Sequence, residues 1–166
     1  MGSHPYFYFT KYQEDTNAAL QTLRQREFEA GRYSPVMSMW DFEFPPNENS
    51  PTPESQHSSI DEAMEDGGAD GTGSILDINR ISEQPDLLAS TLLPTELLIK
   101  LVGTDKPTHD LVNRIVCQEG SRDDDNLDED EHDSVFDEID RGCCFHFVVY
   151  ENDEPSELFF MGYSID

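Results

Sequence analysis

Apolar residues are concentrated at the two ends and in the middle of the chain, with polar stretches between these regions. Residues 5–12, PYFYFTKY, are aromatic and long enough for a strand that is buried on at least one face. Residues 143–150 and 158–163 are two further apolar runs, and the turn sequence NDEP separates them. This arrangement predicts a C-terminal β-hairpin. Because the hairpin has few polar positions, we expect it to lie at the centre of a sheet.

A helix is predicted after the first strand, from Asp15 or Thr16 to about residue 30. Either of these residues can cap its start, and Gly31 is well placed to end it. Its inward stripe consists of Leu20, Leu23 and Phe28.

Shorter elements are predicted in the middle of the chain. A capping box at residues 59–62 begins a helix to about residue 66, and residues 72–81 read as a β-type segment. Helices are also expected over residues 96–102 and 108–116, with one or two amphipathic turns near Val135.

Together these elements predict an α+β fold: an antiparallel or mixed sheet of four to five strands, with helices on one face and a C-terminal β-hairpin. Residues 5–166 are interpreted as a single domain. Within it, residues 45–57 are rich in Pro, Asn and Ser and predict a loop. Residues 121–133 are dominated by acidic side chains and predict a mobile acidic loop.

The chain is strongly acidic, with 36 acidic and 10 basic residues and a formal net charge of −26. A surface of this sign repels phosphate backbones, so direct binding to nucleic acid is not expected. The acidity either keeps the protein soluble or attracts a basic partner, such as a nucleic-acid-binding protein or a cationic toxin.

The sequence predicts a cytoplasmic protein that does not enter a membrane. No apolar run approaches the ~20 residues that a spanning helix needs, and no signal peptide is expected. The three cysteines, Cys117, Cys143 and Cys144, make a poor disulfide framework because their number is odd and two are adjacent.

Two sequence patterns bear on metal binding, and neither supports a bound metal. The sequence DGGADG begins at Asp66 and has a glycine at the sixth position of a calcium loop. However, its third position is Gly68 and not an acid, and its twelfth is Asp77 and not a bidentate glutamate. For zinc, Cys143, Cys144 and His146 lack a fourth ligand at suitable spacing. No metal or cofactor is expected.

The sequence predicts no catalytic site. Cys143 or Cys144 could pair with a histidine, His57, His109 or His132. However, a thiol inside an apolar strand has a raised pKa and reacts poorly. Glycine-rich phosphate loops, nucleophile elbows and HExxH helices are all missing from the sequence. A non-enzymatic protein is therefore expected.

The candidate partner-binding residues are an exposed hydrophobic pair and an acidic run. Met39 and Trp40 precede a proline-rich loop and could form a hydrophobic hot spot. The acidic residues are Asp123, Asp124, Asp125, Asp128, Glu129, Asp130 and Glu131.

Three arginines in one short stretch, Arg24, Arg26 and Arg32, have two interpretations. They could form an anion anchor for a phosphate or a carboxylate. The favoured alternative is that they form ion pairs within the chain, each worth only ~0–1 kcal/mol if exposed.

Four segments together resemble a family of uncharacterised small acidic bacterial proteins of the cyanobacterial type: FYFTKY, LRQREFEAGRY, DGTGSILDI and ELFFMGYSID. The resemblance extends over most of the chain. It implies a bacterial cytoplasmic protein in which the acidic run is peripheral, and it implies no activity.

Three functions follow as hypotheses. The preferred one is a non-enzymatic acidic interaction protein that binds a basic protein partner, as inhibitors, immunity proteins and DNA-charge mimics do. The second is a small-ligand-binding protein or enzyme with a pocket between the sheet and residues 45–73, where Arg24, Arg32 and His57 would be the polar groups. The third is a homo-oligomer, such as a homodimer, whose acidity serves solubility.

Overall fold

The computed structural model describes residues 3–118 and 135–166. Five strands and four α-helices are joined by short 3-10 and π-helical turns. The strands are β1 (Pro5–Lys11), β2 (Arg80–Ser82), β3 (Ala89–Leu92), β4 (Cys144–Glu151) and β5 (Glu154–Tyr163). The α-helices are α1 (Thr16–Ala30), α2 (Ile60–Gly67), α3 (Thr95–Val102) and α4 (His109–Val112). The 3-10 turns are Gly68–Asp70, Ile75–Asp77 and Val135–Glu138, and a π-helical turn, Asn113–Gln118, continues α4.

The strands form one mixed sheet in the order β1-β5-β4-β3-β2. Strands β1, β5 and β4 pair antiparallel, whereas β4, β3 and β2 pair parallel. The α+β class, the five-stranded mixed sheet and the C-terminal hairpin are therefore confirmed, and β4 lies at the centre of the sheet.

The prediction that helices cover only one face of the sheet was wrong, because both faces are buried. Tyr6 and Tyr8 of β1 pack in one hydrophobic cluster with α1 and α2, whereas Phe7 packs in a second cluster with α3 and α4. Successive side chains of β1 and of the hairpin point to opposite faces of the sheet, and most of them are apolar. Each face therefore needs a layer of helices to cover it.

Helix α1 follows its predicted bounds. The Asp15 carboxylate accepts a hydrogen bond from the Ala18 N–H at 3.0 Å, and Gly31 ends the helix in a left-handed conformation, at φ 74°. The inward side chains Leu20, Leu23 and Phe28 are buried. Ser59 likewise caps α2 through the Glu62 N–H, as the capping box predicts.

The strand predicted over residues 72–81 was mostly wrong. Ile75–Asp77 is a buried 3-10 turn, and only Arg80–Ser82 is a strand. The turn is favoured because the Asp77 carboxylate accepts the Thr72 and Gly73 N–H groups at 2.8 and 3.1 Å, which curls the backbone around the side chain.

Of the two predicted loops, one lies within the described residues and the other does not. Residues 45–57 contain no helix or strand. The predicted acidic loop, 121–133, lies outside the described residues, and so do the seven acidic candidates for partner binding between Asp123 and Glu131.

Candidate functional site

Within the described part of the chain, an open cleft of about 1070 Å³ lies beside the edge strand β1. It is lined by one face of β1, by residues 39–47, and by α4 with its π-helical turn. We call it the aromatic cleft and define it by Ser3, His4, Pro5, Phe7, Phe9, Met39, Trp40, Phe42, Glu43, Phe44, Pro45, Pro46, Asn47, His109, Asn113, Cys117, Gln118 and Glu157.

The two residues of the predicted hot spot, Met39 and Trp40, line this cleft but differ in exposure. Met39 is buried and is 7% exposed, whereas Trp40 is 82% exposed. The Trp40 ring lies 5.8 Å from the His4 ring, measured between centroids. Met39 therefore holds the segment in place, and of this pair it is Trp40 that offers an apolar surface to solvent.

Segment 39–47 is attached to β1 through aromatic contacts. The Phe44 ring meets the Tyr8 ring edge-on at 5.3 Å and lies 4.8 Å from the Phe42 ring. Phe44 contacts both hydrophobic clusters. The segment therefore runs past the edge of β1, and this placement forms one wall of the cleft.

Two carboxylates enter the cleft from different elements. Glu43 is exposed and makes no ion pair among residues 3–118 and 135–166. Glu157, on β5, lies with its Oε2 2.8 Å from Nδ1 of His109, and the His109 ring stacks on Phe9 at 3.9 Å. The cleft is therefore aromatic with acidic groups at its margin, and no Lys or Arg is among its described lining residues.

The sequence did not bring His4, Phe9, His109 and Glu157 together. These residues are far apart in the chain, and none of them belongs to a recognisable motif. The pairing Lys11↔Glu157 at the end of the β1–β5 ladder places the Glu157 carboxylate near the base of α4. No local pattern specifies such long-range pairing, so no signal in the sequence could have identified this group.

The cysteines lie in environments that suppress thiolate formation. Burial raises the pKa of Cys117, which lines the cleft, to about 12, and it does the same for Cys144. Burial, with help from Asp140 and Asp86, also raises the pKa of Cys143. A nucleophilic cysteine needs the opposite shift. Of the three histidines that could pair with a cysteine, His132 lies outside the described residues.

Arg32 of the predicted anion anchor is buried and bound to a carboxylate of the same chain. Its Nε and Nη2 donate to Glu27 at 2.6 and 2.9 Å, and hydrogen bonding to Glu27 raises the pKa of Arg32. Arg26 donates from Nε to the same carboxylate at 2.9 Å and from both terminal nitrogens to the Phe9 carbonyl at 3.1 Å.

Arg24, the third member, is held in a different way. Its guanidinium donates to the Leu76 carbonyl at 2.9 Å and to Gln21 Oε1 at 2.8 Å. Burial lowers the pKa of Arg24. Arg26 and Arg32 thus form ion pairs within the chain, as the favoured alternative predicts, whereas Arg24 meets uncharged acceptors. The anion anchor stays a prediction that this geometry does not favour.

The side chains of the candidate metal sites are engaged elsewhere. Asp66 lies 3.1 Å from His57 Nε2, and Asp77 is buried against the backbone of residues 72–73. Within the described part of the chain, no group of three or more His, Cys, Asp or Glu side chains could hold a metal ion.

The pocket predicted between the sheet and residues 45–73 would use Arg24, Arg32 and His57. None of these three residues lines the aromatic cleft or a second cavity, of about 350 Å³, that also includes Met39 and Trp40 in its lining. His57 Nδ1 lies 2.8 Å from the Tyr33 hydroxyl, inside a hydrogen-bonded group.

Comparison with known proteins gives no relative: no protein-family model, no curated protein and no solved structure matches the chain. Among the described residues, no helix has both the length and the apolarity required to cross a membrane. The fold and the site therefore define the class on their own, as an α+β protein with an open aromatic cleft and an acidic surface.

Proposed function

We propose that this protein is a non-enzymatic interaction protein that binds a basic protein partner, in the manner of an inhibitor, an immunity protein or a DNA-charge mimic. The observation that carries the proposal is the aromatic cleft. There the exposed Trp40 ring lies in the same wall as the Glu43 carboxylate, which has no ion-pair partner among the described residues. Exposed tryptophans in a polar surround are frequent binding hot spots.

The distribution of charge supports an acidic docking surface. Within residues 3–118 and 135–166, only Glu27 and Asp86 form ion pairs with an arginine or a lysine. Arg24 and Arg32 are themselves buried. Because Glu27 and Asp77 are buried too, burial removes equal numbers of acidic and basic groups from the described surface, which stays strongly acidic. Such a surface accelerates encounter with a basic partner and repels nucleic acid.

The cellular setting is part of the same proposal. Cys143 and Cys144 form no disulfide within the described residues, which agrees with a reducing cytoplasm. The resemblance to small acidic bacterial proteins points the same way but stays a prediction. We propose neither a cofactor nor an activity, because the buried thiols and internally bound arginines leave no evident catalytic group in the described part of the chain.

A homo-oligomer is the second candidate, because several large apolar side chains are exposed. They are Trp40, Leu87, Leu92 and Ile99. A homodimer would have to bring two strongly acidic surfaces together, which costs electrostatic free energy. Because of this cost, the homo-oligomer ranks below the interaction protein.

Affinity capture from the organism that produces the protein tests the proposal. The immobilised protein is exposed to extract at low salt and eluted in salt steps. We expect a basic protein to elute near physiological salt, with an affinity that falls as salt rises. Recovery of the protein itself alone would contradict the proposal and favour the homo-oligomer.

Charge-matched variants make the capture specific. Replacing Asp123, Asp124 and Asp125 with Asn removes three charges from the predicted partner-binding run. Glu48→Gln, Glu65→Gln and Glu151→Gln remove the same charge from scattered exposed sites. A larger loss of binding in the first variant supports the run as a contact. Equal losses would mean that only the total charge matters.

A further inference from the structure

The aromatic cleft has two polar groups whose bonding capacity is not used within the described chain. Glu43 has no ion-pair partner there. Glu157 uses Oε2 toward His109, which leaves Oε1 for another donor. The lining of the cleft also includes aromatic rings, of which the Trp40 ring is 82% exposed. A ligand for this cleft therefore needs hydrogen-bond donors, positive charge and a surface that can stack on a ring.

We propose that the aromatic cleft binds an arginine side chain in an extended basic segment of the partner protein. This inference rests on the proposed function and names the place and the chemistry of the contact. The guanidinium stacks on Trp40 and donates to Glu43, with Glu157 as a second acceptor at the margin.

Arginine fits these groups better than lysine does. A guanidinium is planar, weakly hydrated and able to stack on an aromatic face while its edge donates to a carboxylate. Tryptophan is the ring that attracts cations most strongly. An ammonium is a compact, strongly hydrated charge, so it would meet the carboxylates but gain less from the ring.

The other possible occupants fit the cleft less well. An anion would meet Glu43 and Glu157 without a Lys or Arg among the described lining residues. A second copy of this chain would bring another acidic surface to an acidic margin, given the net charge of −26. The volume of about 1070 Å³ exceeds that of one side chain, so flanking backbone of the segment fits as well.

The experiment uses Trp40 as its own reporter, because it is the only tryptophan in the chain. The full-length protein is titrated with a short blocked Arg-Gly repeat peptide while tryptophan fluorescence is recorded. The control peptide carries citrulline, a neutral isostere, at each arginine, and a third peptide carries lysine. We expect the arginine peptide to change the tryptophan fluorescence in a saturable way. The lysine peptide should bind more weakly, and the citrulline peptide should cause no change in fluorescence.

Matched variants locate the contact, with affinities measured by calorimetry. Trp40→Ala should weaken arginine-peptide binding roughly three- to tenfold, and Trp40→Phe should retain part of it. Glu43→Gln should weaken it roughly two- to fivefold. Glu65→Gln removes the same charge from an exposed position on α2, which packs with α1 and does not line the cleft. This variant should leave the affinity nearly unchanged.

The outcomes separate this inference from the proposed function. If the arginine peptide binds in a salt-dependent way but Glu43→Gln and Glu65→Gln are equivalent, the acidic surface binds cations elsewhere. The inference then fails while the proposed function stands. Equal binding of the citrulline peptide, or no binding at all, also overturns the inference. The proposed function would in that case be judged by the capture experiment, and recovery of no basic protein there would reject it.

Discussion

Glu27 and Glu43 are both glutamates near aromatic side chains, yet their surroundings differ completely. Glu27 is fully buried at the C-terminal end of α1, and its two oxygens accept hydrogen bonds from Arg26 and Arg32. Glu43 is exposed in the aromatic cleft and has no ion-pair partner among the described residues. The first carboxylate is bound within the fold, and the second is accessible to a partner.

The difference arises from the chain reversal after α1. Gly31 adopts a left-handed conformation, and the Arg32 N–H then donates to the Glu27 carbonyl at 3.2 Å. This turn brings the Arg32 side chain back over the helix to the carboxylate. Segment 39–47 instead passes the edge of β1 and leaves the Glu43 side chain exposed. Acidic residues are so numerous in this chain that only such local geometry distinguishes a structural carboxylate from an available one.

Glu27→Gln should cause the largest loss of stability. It leaves Arg32 buried without its counter-charge, which costs about 3–5 kcal/mol. The matched control, Glu29→Gln, alters an exposed residue on the same helix and should change stability by less than about 0.5 kcal/mol. Urea unfolding measures both free energies. Equal effects of the two variants would show that the Glu27 ion pairs do not stabilise the fold.

Met39 and Trp40 extend the comparison to two neighbours in one segment. Met39→Ala should cost about 2–4 kcal/mol because it opens a cavity where Met39 is buried. Trp40→Ala removes a larger side chain but should cost less than about 0.5 kcal/mol, because that ring is mostly exposed. The measurement is again urea unfolding. A large loss from Trp40→Ala would mean that this ring serves the fold and is not available for a partner.

Gly31→Ala tests the reversal that delivers Arg32 to Glu27. A Cβ at this position would clash with the Glu54 carbonyl group, so the variant should lose about 1–3 kcal/mol from overpacking in addition to its left-handed strain. Gly103→Ala is the control, since Gly103 also has a positive φ but no described atom within 4 Å of the new Cβ. A difference near zero in thermal and urea unfolding would argue against a tight contact with residue 54.

Much of the fold was predictable because its signals are local. Strand β1, helix α1 and the C-terminal hairpin each carry their own periodicity, and Asp15, Gly31 and Ser59 mark helix ends. The Ile75 turn was mistaken for a strand because a short apolar run does not distinguish the two. The turn forms there because the Asp77 carboxylate accepts hydrogen bonds from the backbone of residues 72–73.

The site was only partly predictable. Met39 and Trp40 both line the aromatic cleft, but the sequence does not indicate that Met39 is buried and Trp40 is exposed. The grouping of Phe9, His109 and Glu157 depends on the register of β1 with β5 and on the position of α4. Contacts between residues so distant in sequence leave no trace in composition or spacing, and the second helical layer was missed for the same reason.

His146 provides a prediction about the pH dependence of stability. It is buried, its Nδ1 lies 2.8 Å from the Ser90 hydroxyl, and burial lowers the pKa of His146 to about 4. An unfolded histidine, with pKa near 6.5, takes up a proton more readily. The contribution of His146 to stability is therefore fully present above about pH 6.5 and is lost as the pH falls from there toward 4, by about 1.4 kcal/mol per unit.

Comparing wild type with His146→Gln isolates this contribution, because every other titrating group is common to both proteins. Urea unfolding at about pH 7 and about pH 5 should show a steeper loss of stability in the wild type, so that the gap between the proteins narrows on acidification. Parallel pH profiles for wild type and His146→Gln would show that the buried ring accepts a proton in the folded protein without penalty.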